Sequence, residues 1–523
     1  MPSFTIKFSR KFWMITAALI FLVLAALPLL LYRSHPLPPG ADQTSKPVHT
    51  SPEQISLLID STSFDPVKGK RIVQQVIFDE ILAMIARADR FIYLDMFLWN
   101  PWQGSIPEDQ RALSTELAKA LIEKKRHRPD LDILVLTDPI NRIYGQMEPD
   151  LFREMVQAGI PIVFNDLERL PDSNWLYARY WQFYHRLISS VPLLNKTVTR
   201  PLFSNPFIID GPRISIRQLG RLFLFKANHR KVVITGSRQG GLEILTGSFN
   251  PADGSSAHSN MALRIQGKLA LDALDSELNL ARWSAGQSGT VLMDQTRGAH
   301  RTISKISTIA DGLAREQPLA GPSPTVQWVT EQAISRSIVD LLEKTVPEDE
   351  VRIAIFYISD RKVITAIKNA AKKGVKTRII IDANKDAFGI KKIGVPNRQA
   401  AAELMKLNPG HDIRVKWADT HGEQFHTKAM TITNERNRKN ILLAGSANWT
   451  RRNLQNLNLE ANLLLVNAPE TVDDFNRYFD TAWDNSDGLS HTLPYEAWSE
   501  TGFTLFLKTL LYRFQEWSGM STF

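Results

Sequence analysis

A chain that carries the same polar pattern twice is constrained to fold twice in the same way. Here "NHRKVVITG" at 228–236 holds His229 and Lys231, and "FHTKAMTIT" at 425–433 holds His426 and Lys428. Each stretch is followed by a Gly-Ser-x-Asn turn, "GSFN" at 247–250 and "GSAN" at 445–448. His229 and Asn250 stand 21 residues apart, His426 and Asn448 22. Ten residues beyond each turn lies a further asparagine, Asn260 and Asn458. One His-x-Lys triplet is expected by chance among 11 histidines and 63 Lys plus Arg in 523 residues. Four polar positions recurring in order point to a duplicated domain with one half-site per copy.

The surrounding pattern repeats as well. "RIVQQVIFDEILAMIARA" has apolar residues at helical spacing (Ile72, Val76, Ile77, Ile81, Met84, Ile85). The short apolar runs "RFIYLDMFLW" and "LDILVLTD" read as buried strands, and "DLFREMVQAG" as a helix closing at Gly159. The order restarts with "EQAISRSIVDLLEKT" (helix), "VRIAIFYISD" (strand), "RKVITAIKNAAKKG" (helix) and "VKTRIIIDAN" (strand). Strands alternating with helices predict an α/β fold. Residues 296–324 are mostly polar and end in "EQPLAGPSP", which puts a boundary near 322. The predicted units are 55–322 and 323–490, with an aromatic and basic insertion at 171–206 and a C-terminal amphipathic helix in 491–523. In that helix Phe503, Phe506, Leu507, Leu510, Leu511, Phe514 and Trp517 form one stripe.

The N-terminus constrains location. Residues 12–32, "FWMITAALIFLVLAALPLLLY", contain no charge, enough helix to cross a hydrocarbon layer of roughly 30 Å. Lys7, Arg10 and Lys11 precede the run; Arg33 and Lys46 follow. The positive-inside rule predicts a cytoplasmic N-terminus with the rest translocated. The run is longer than a signal-peptide core and lacks a small-x-small end, so 1–34 reads as an uncleaved, single-pass inner-membrane anchor. Residues 35–54, rich in Pro, Ser and Thr, read as its linker.

Within a strand, residues i and i+2 face the same way. His229 and Lys231 therefore project together with Arg230 turned away, and His426 and Lys428 do likewise. Each Gly-Ser-x-Asn turn ends an adjacent apolar run and can deliver an amide beside the lysine. Two facing halves supply two imidazoles, two ammoniums and two amides. That set suits a phosphodiester: the lysines and asparagines take the non-bridging oxygens. One imidazole attacks phosphorus, and the other serves the leaving and entering oxygens as acid and base. The chain has no cysteine, which excludes thiolate nucleophiles and cysteine-ligated zinc. "DTHGEQFH" gathers Asp419, His421, Glu423 and His426 but matches no standard zinc spacing, so neither metal nor cofactor is implied.

At these residues the chain resembles the phospholipase D superfamily, whose repeated motif is His-x-Lys-x4-Asp followed by Gly-Ser-x-Asn or Gly-Ser-x-x-Asn. The resemblance runs from about residue 55 to 490 and includes the lead-ins "LDMFLWN" and "IFYISDR". It implies two pseudo-symmetric α/β/α sandwich domains with the site at their interface, and phosphatidyl transfer through phosphohistidine. Carried over, His229 is the nucleophile and His426 the acid/base, while Lys231, Lys428, Asn250 and Asn448 hold the phosphate. Two departures stand out. The motif Asp positions hold Gly236 and Thr433. The acidic residue two past the second Asn is kept as Glu460 in the second half, whereas the first half has Ala262, which would leave His229 without an orienting carboxylate. The implied partners are a phospholipid substrate and a membrane. The net charge of +9 also fits a nuclease, although no regular basic-aromatic track for a strand is present. A non-catalytic scaffold is the third reading, motivated by Gly236, Thr433 and Ala262.

Overall fold

The computed structural model describes residues 10–104, 107–108, 110–205, 211–286, 291–314, 324–387 and 390–520. Lys7 and the boundary expected at 322 lie outside them.

Two mixed sheets carry the molecule. The first has eight strands: β1 Ile55–Asp65, β2 Lys70–Gln74, β3 Phe91–Met96, β4 Asp132–Thr137, β5 Ile162–Phe164, β6 Lys231–Ser237, β7 Gly241–Gly247 and β8 Asn260–Gln266. Their order is β2-β1-β8-β7-β6-β3-β4-β5. The second is built from β9 Thr325–Thr330, β10 Glu350–Ile355, β11 Lys376–Asp382, β12 Ile413–Ala418, β13 Lys428–Asn434, β14 Lys439–Gly445 and β15 Ala461–Val466. Their order is β9-β15-β14-β13-β10-β11-β12, with the short strands Val48–His49 and Thr492–Leu493 at the two edges. The two orders match strand for strand from β1 and β9 inward. Helices cover the faces, so central strands such as β3 are buried at every position and read as unbroken apolar runs rather than alternating ones.

The halves share a core. Leu263, Ile234 and Leu274 of the first pack in one apolar cluster with Leu442, Leu463 and Phe475 of the second. Arg230, turned away from His229 as its strand position requires, is fully buried between Glu277 at 2.9 Å and Glu331 of the second half at 2.6 Å. Removing one partner of such a buried set costs about 3–5 kcal/mol.

Three segments depart from the sequence reading. Residues 71–74, expected at the head of a helix, pair with β1 as part of β2, and the helix starts only at Ile77. Asp60 takes the amides of Val76 and Ile77 at 2.7 and 3.0 Å, which fixes the start there. The polar stretch before residue 315 contains a helix, Thr296–Ala314, that buries Ala299, Ile303, Ile306 and Ala310. The expected linker is not a free tether, because Val48 pairs with Val326 of β9.

The apolar run forms α1, Arg10–Leu31, long and apolar enough to cross a membrane and almost entirely exposed. The aromatic insertion supplies α2, Trp175–Ser190, which packs along α1. The C-terminal helix, α3, Gly502–Ser518, buries Tyr512 and Glu516 while Phe503, Phe506, Phe514 and Trp517 are 54–72% exposed. It is both docked and apolar on its outer face. Trp175 and Trp517 bring α2 and α3 together at 5.7 Å between ring centroids.

Candidate active site

Lys231 and Lys428 open β6 and β13, opposite Met96 of β3 and Ile355 of β10 in the same register. The histidine two residues earlier therefore sits at the lip of each sheet. The Gly-Ser-x-Asn turns follow the neighbouring strands β7 and β14. Gly247 and Gly445 end those strands where a Cβ would come within 2.2 and 2.3 Å of the Met261 and Ala461 carbonyls, so only glycine permits the close approach. All six predicted side chains are buried: His229, Lys231, Asn250, His426, Lys428 and Asn448. Glu460 is fully enclosed.

The two half-sites cross. His229 N donates to Leu459 O at 2.9 Å, and His426 N donates to Ser259 O at 2.8 Å. Each histidine is thus stitched to the opposite half, one residue before the group that holds its ring. His229 Nδ1 meets Glu460 Oε1 at 2.8 Å, and His426 Nδ1 meets Asn260 Oδ1 at 3.1 Å. With Nδ1 held in both rings, Nε2 is the nitrogen left for a substrate.

This corrects the expectation drawn from Ala262. Glu460 belongs to the second half but orients His229 of the first, so His229 has its carboxylate. The pairing of Asn260 with Asn458 was also out of register. Ser248 Oγ donates to Asn260 Oδ1, and Ser446 Oγ donates to a Glu460 carboxylate oxygen. Asn260 is therefore the counterpart of Glu460, and Ala262 faces Gly247 as Asn462 faces Gly445. The connection in the second half is two residues longer, which hid the match.

Other groups repeat faithfully. Each lysine Nζ donates to its own histidine's carbonyl at 2.6 Å. Lys231 lies over the Phe97 ring at 4.8 Å and Lys428 over Phe356 at 5.0 Å. The same rings meet His229 and His426 edge-on. Two aspartates escaped the sequence reading: Asp138 accepts the Asn228 amide and Asp382 the Phe425 amide, each at 2.9 Å. They clamp the loop in front of each histidine. Their signal was the Asp closing both "LDILVLTD" and "RIIID". A third histidine, His258, was also missed. Its ring centre is 6.0 Å from that of His426, and its Nδ1 takes the Gln424 amide at 3.4 Å. Asn458 holds the matching place, accepting the Ala227 amide at 3.0 Å.

Burial and like charge dominate the electrostatics. Burial pushes His229 down to about 4 against the pull of Glu460, and holds His426 well below its ordinary value, helped by Lys428. Burial takes Lys231 down to about 7; Lys428 falls well below its ordinary value through burial and the charge of Lys231. Burial alone would raise Glu460, but His229, Lys231 and Ser446 hold it below the usual carboxylate range. His229 and Lys231 of one half act on His426 of the other, so the two half-sites share one field. Two lysines and two imidazoles gather around Glu460, with Asp95 and Asp138 also acting on Lys231 and Asp382 on Lys428.

The departures from the motif lie elsewhere. Gly236 and Thr433 are five residues past the lysines, roughly 17 Å along the strand. A Cβ at Gly236 would stand 2.5 Å from the Phe91 ring. Of the "DTHGEQFH" cluster, His421 pairs with Asp419 at 3.1 Å and Glu423 with Arg71 at 3.1 Å. Arg451 and Arg452, just after the second Gly-Ser-x-Asn turn, bind the carbonyls of Glu516 and Gly519 at the end of α3.

Residues 338–483 match the family described as "Cardiolipin synthase, PLD-like domain", a span that includes His426, Lys428, Asn448 and Glu460. No curated protein matches the chain. Among solved structures, phosphatidylserine synthase from Haemophilus influenzae Rd KW20 aligns with a TM-score of 0.51 at 14% identity, over 92% of this chain and 96% of that one. Nuc, a phospholipase D family member from Salmonella typhimurium, covers 33% of this chain and 98% of its own at 18% identity and a TM-score of 0.26. At such identities the first likeness is one of fold. Together with the family match it bears out the α/β architecture and the phospholipase D resemblance read from the paired motifs.

Proposed function

We propose, for a chain of the phospholipase D superfamily, a membrane-anchored phosphodiesterase or phosphatidyltransferase acting on phospholipid through a phosphohistidine. The observation that carries the reading is the crossed support of the histidines, a carboxylate behind His229 and an amide behind His426. N-phosphorylation leaves a positive imidazole ring, and a carboxylate at 2.8 Å stabilises it. His229 Nε2 attacks phosphorus, and the bond from phosphorus to the leaving alcohol breaks. His426 delivers a proton to that oxygen from Nε2. His426 then takes a proton from water or an alcohol, whose oxygen attacks phosphorus as the N–P bond breaks, and His229 is restored. Lys231, Lys428, Asn250 and Asn448 hold the non-bridging oxygens. An anionic diester raises the depressed pKa of His426, so substrate binding itself loads the acid.

A lipid substrate is supported by α1 and by the exposed apolar stripe of α3, whose inner side touches Arg451, three residues after Asn448. In this reading α1 anchors the chain in the inner membrane with its N-terminus cytoplasmic. The test is incubation with headgroup- and phosphate-labelled phospholipid vesicles, then trapping of acid-labile phosphate on wild type, His229→Ala and His426→Ala. The reading expects label on wild type and His426→Ala and none on His229→Ala. Cleavage of single-stranded DNA with vesicles untouched would reject the lipid; no label and no turnover in wild type would leave a scaffold.

A further inference from the structure

Where α1 meets α2, side chains of α2 bond the backbone of α1. Pro28 has no amide proton, so the Leu24 carbonyl loses its helical donor. Tyr184 of α2 supplies the replacement, donating to Leu24 O at 2.9 Å, and Tyr180 donates to Ala25 O at 3.2 Å. In a hydrocarbon layer such a carbonyl has no water to turn to. The end of α1 is tied down as well, with the Tyr32 hydroxyl donating to Asp172 at 2.8 Å.

Beside these bonds the two helices leave a cleft of about 380 Å³, within the range of small-ligand pockets. Leu31, Tyr32, Phe183 and Leu187 wall it, and Arg179 and Arg186 reach into it. The Arg179 guanidinium is stacked between Tyr32 and Trp175, 4.9 and 5.1 Å from the ring centres. Its Nε is buried without a hydrogen-bond partner among the described residues. Among them, no carboxylate pairs with Arg179 or Arg186. Asp172, close by, is taken by Lys226 at 2.7 Å, Gln182 at 2.9 Å and Tyr32. Arg179, stacked on two rings with no carboxylate partner, and the exposed Arg186 at the mouth offer positive charge beside an apolar wall, which suits an anion with an apolar body. With α1 across the bilayer, its last turn lies at headgroup height.

We propose that this cleft binds one anionic phospholipid as a resident, non-reacting ligand. Arg179 and Arg186 hold its phosphate, and its acyl chains lie along the exposed faces of Leu24 and Leu187. The site is separate from the histidine pair, and the proposal rests on α1 spanning the membrane rather than on the chemistry proposed above. The test titrates full-length protein in detergent with phosphatidylglycerol or phosphatidylcholine and counts bound lipid by native mass spectrometry. The expected result is one phosphatidylglycerol, bound at least tenfold more tightly than phosphatidylcholine. His229→Ala should bind as wild type does. Arg179→Gln with Arg186→Gln should weaken binding at least tenfold, as should Ser190→Trp, which fills the cleft and keeps both charges. If the arginine variant fails to fold, Ser190→Trp decides. Unchanged binding in a folded variant of either kind, or no preference for phosphatidylglycerol in wild type, overturns the proposal. Loss in His229→Ala alone also overturns it, because the lipid would then occupy the histidine site.

Discussion

Glu460→Gln is the substitution that most directly probes the crossed site. It keeps the size of the side chain and a hydrogen bond to His229 Nδ1, and removes only the charge. In the resting protein burial holds His229 neutral, so the carboxylate has little cation to act on in that ring. In the proposed reaction it acts when phosphorylation makes the ring positive. Coulomb's law at an effective dielectric of about 20 gives about 6 kcal/mol for unit charges 2.8 Å apart. That is a ceiling, because Ser446, Asn453 and Lys231 already share the Glu460 charge. A charge-assisted bond exceeds its neutral counterpart by about 1–2 kcal/mol. Taking the upper part of that range, the loss is about 2 kcal/mol, or about thirtyfold in rate.

The loss should fall on kcat and leave KM within about twofold, since the interaction is made in the transition state and not with bound substrate. Rapid-quench measurement of phosphoenzyme formation isolates the step. Asn260→Ala is the matched control: it frees His426 Nδ1 and should slow turnover of the phosphoenzyme, leaving label accumulated on His229. If Glu460→Gln forms phosphoenzyme at the wild-type rate while Asn260→Ala abolishes it, the roles of the two histidines are exchanged and the electrostatic argument fails.

Three further outcomes follow from particular contacts. Orthovanadate should bind with proton uptake and more tightly as pH falls from about 9 to 6. An anion raises the pKa of Lys231, which burial holds at about 7, so the protonated, lower-pH form is the one that binds; titration calorimetry in two buffers of different ionisation heat measures this. Gly236→Asp, which restores the motif residue, should lower stability by about 1–3 kcal/mol through collision with Phe91 and leave kcat unchanged, as read by thermal melting and turnover. Replacing Phe503, Phe506 and Phe514 together by Ser should cut kcat/KM on vesicle lipid about tenfold and spare a soluble aryl phosphodiester, because these rings are exposed and the fold does not rest on them.

The duplicated fold was legible because the pattern that encodes it is local. His-x-Lys at the head of a β-branched strand and Gly-Ser-x-Asn at the end of the next are set by the period of a strand and by the room beside a glycine. The crossing was not legible. Nothing in "NLE" says whether Glu460 faces the histidine of its own half or of the other; that depends on how two sheets dock. Register failed for a related reason. Asn260 and Asn458 match at equal distance from the turns, but the second connection is longer by two residues, and only strand pairing shows that Asn260 answers to Glu460. Residues 71–74 read as helix because Ile72 continues the helical spacing of the segment; pairing with β1 outweighs it.

A duplicated site begins symmetric, yet the proposed reaction asks its two histidines for different work. The groups assigned to the phosphate in that reaction remain paired: lysine with lysine, asparagine with asparagine, and an aromatic ring under each ammonium. Symmetry is broken behind the imidazoles, at Glu460 against Asn260. Two carboxylates there would set two negative charges against an incoming diester and offset the lysines. Two amides would leave a phosphorylated imidazole without a counter-charge. One of each adds no second carboxylate behind the imidazoles and supplies a single buried anion beside the ring that becomes positive in the proposed reaction. On the proposed reaction the division of labour lies behind the imidazoles, where a difference of one charge would separate nucleophile from acid without disturbing the paired lysines and asparagines.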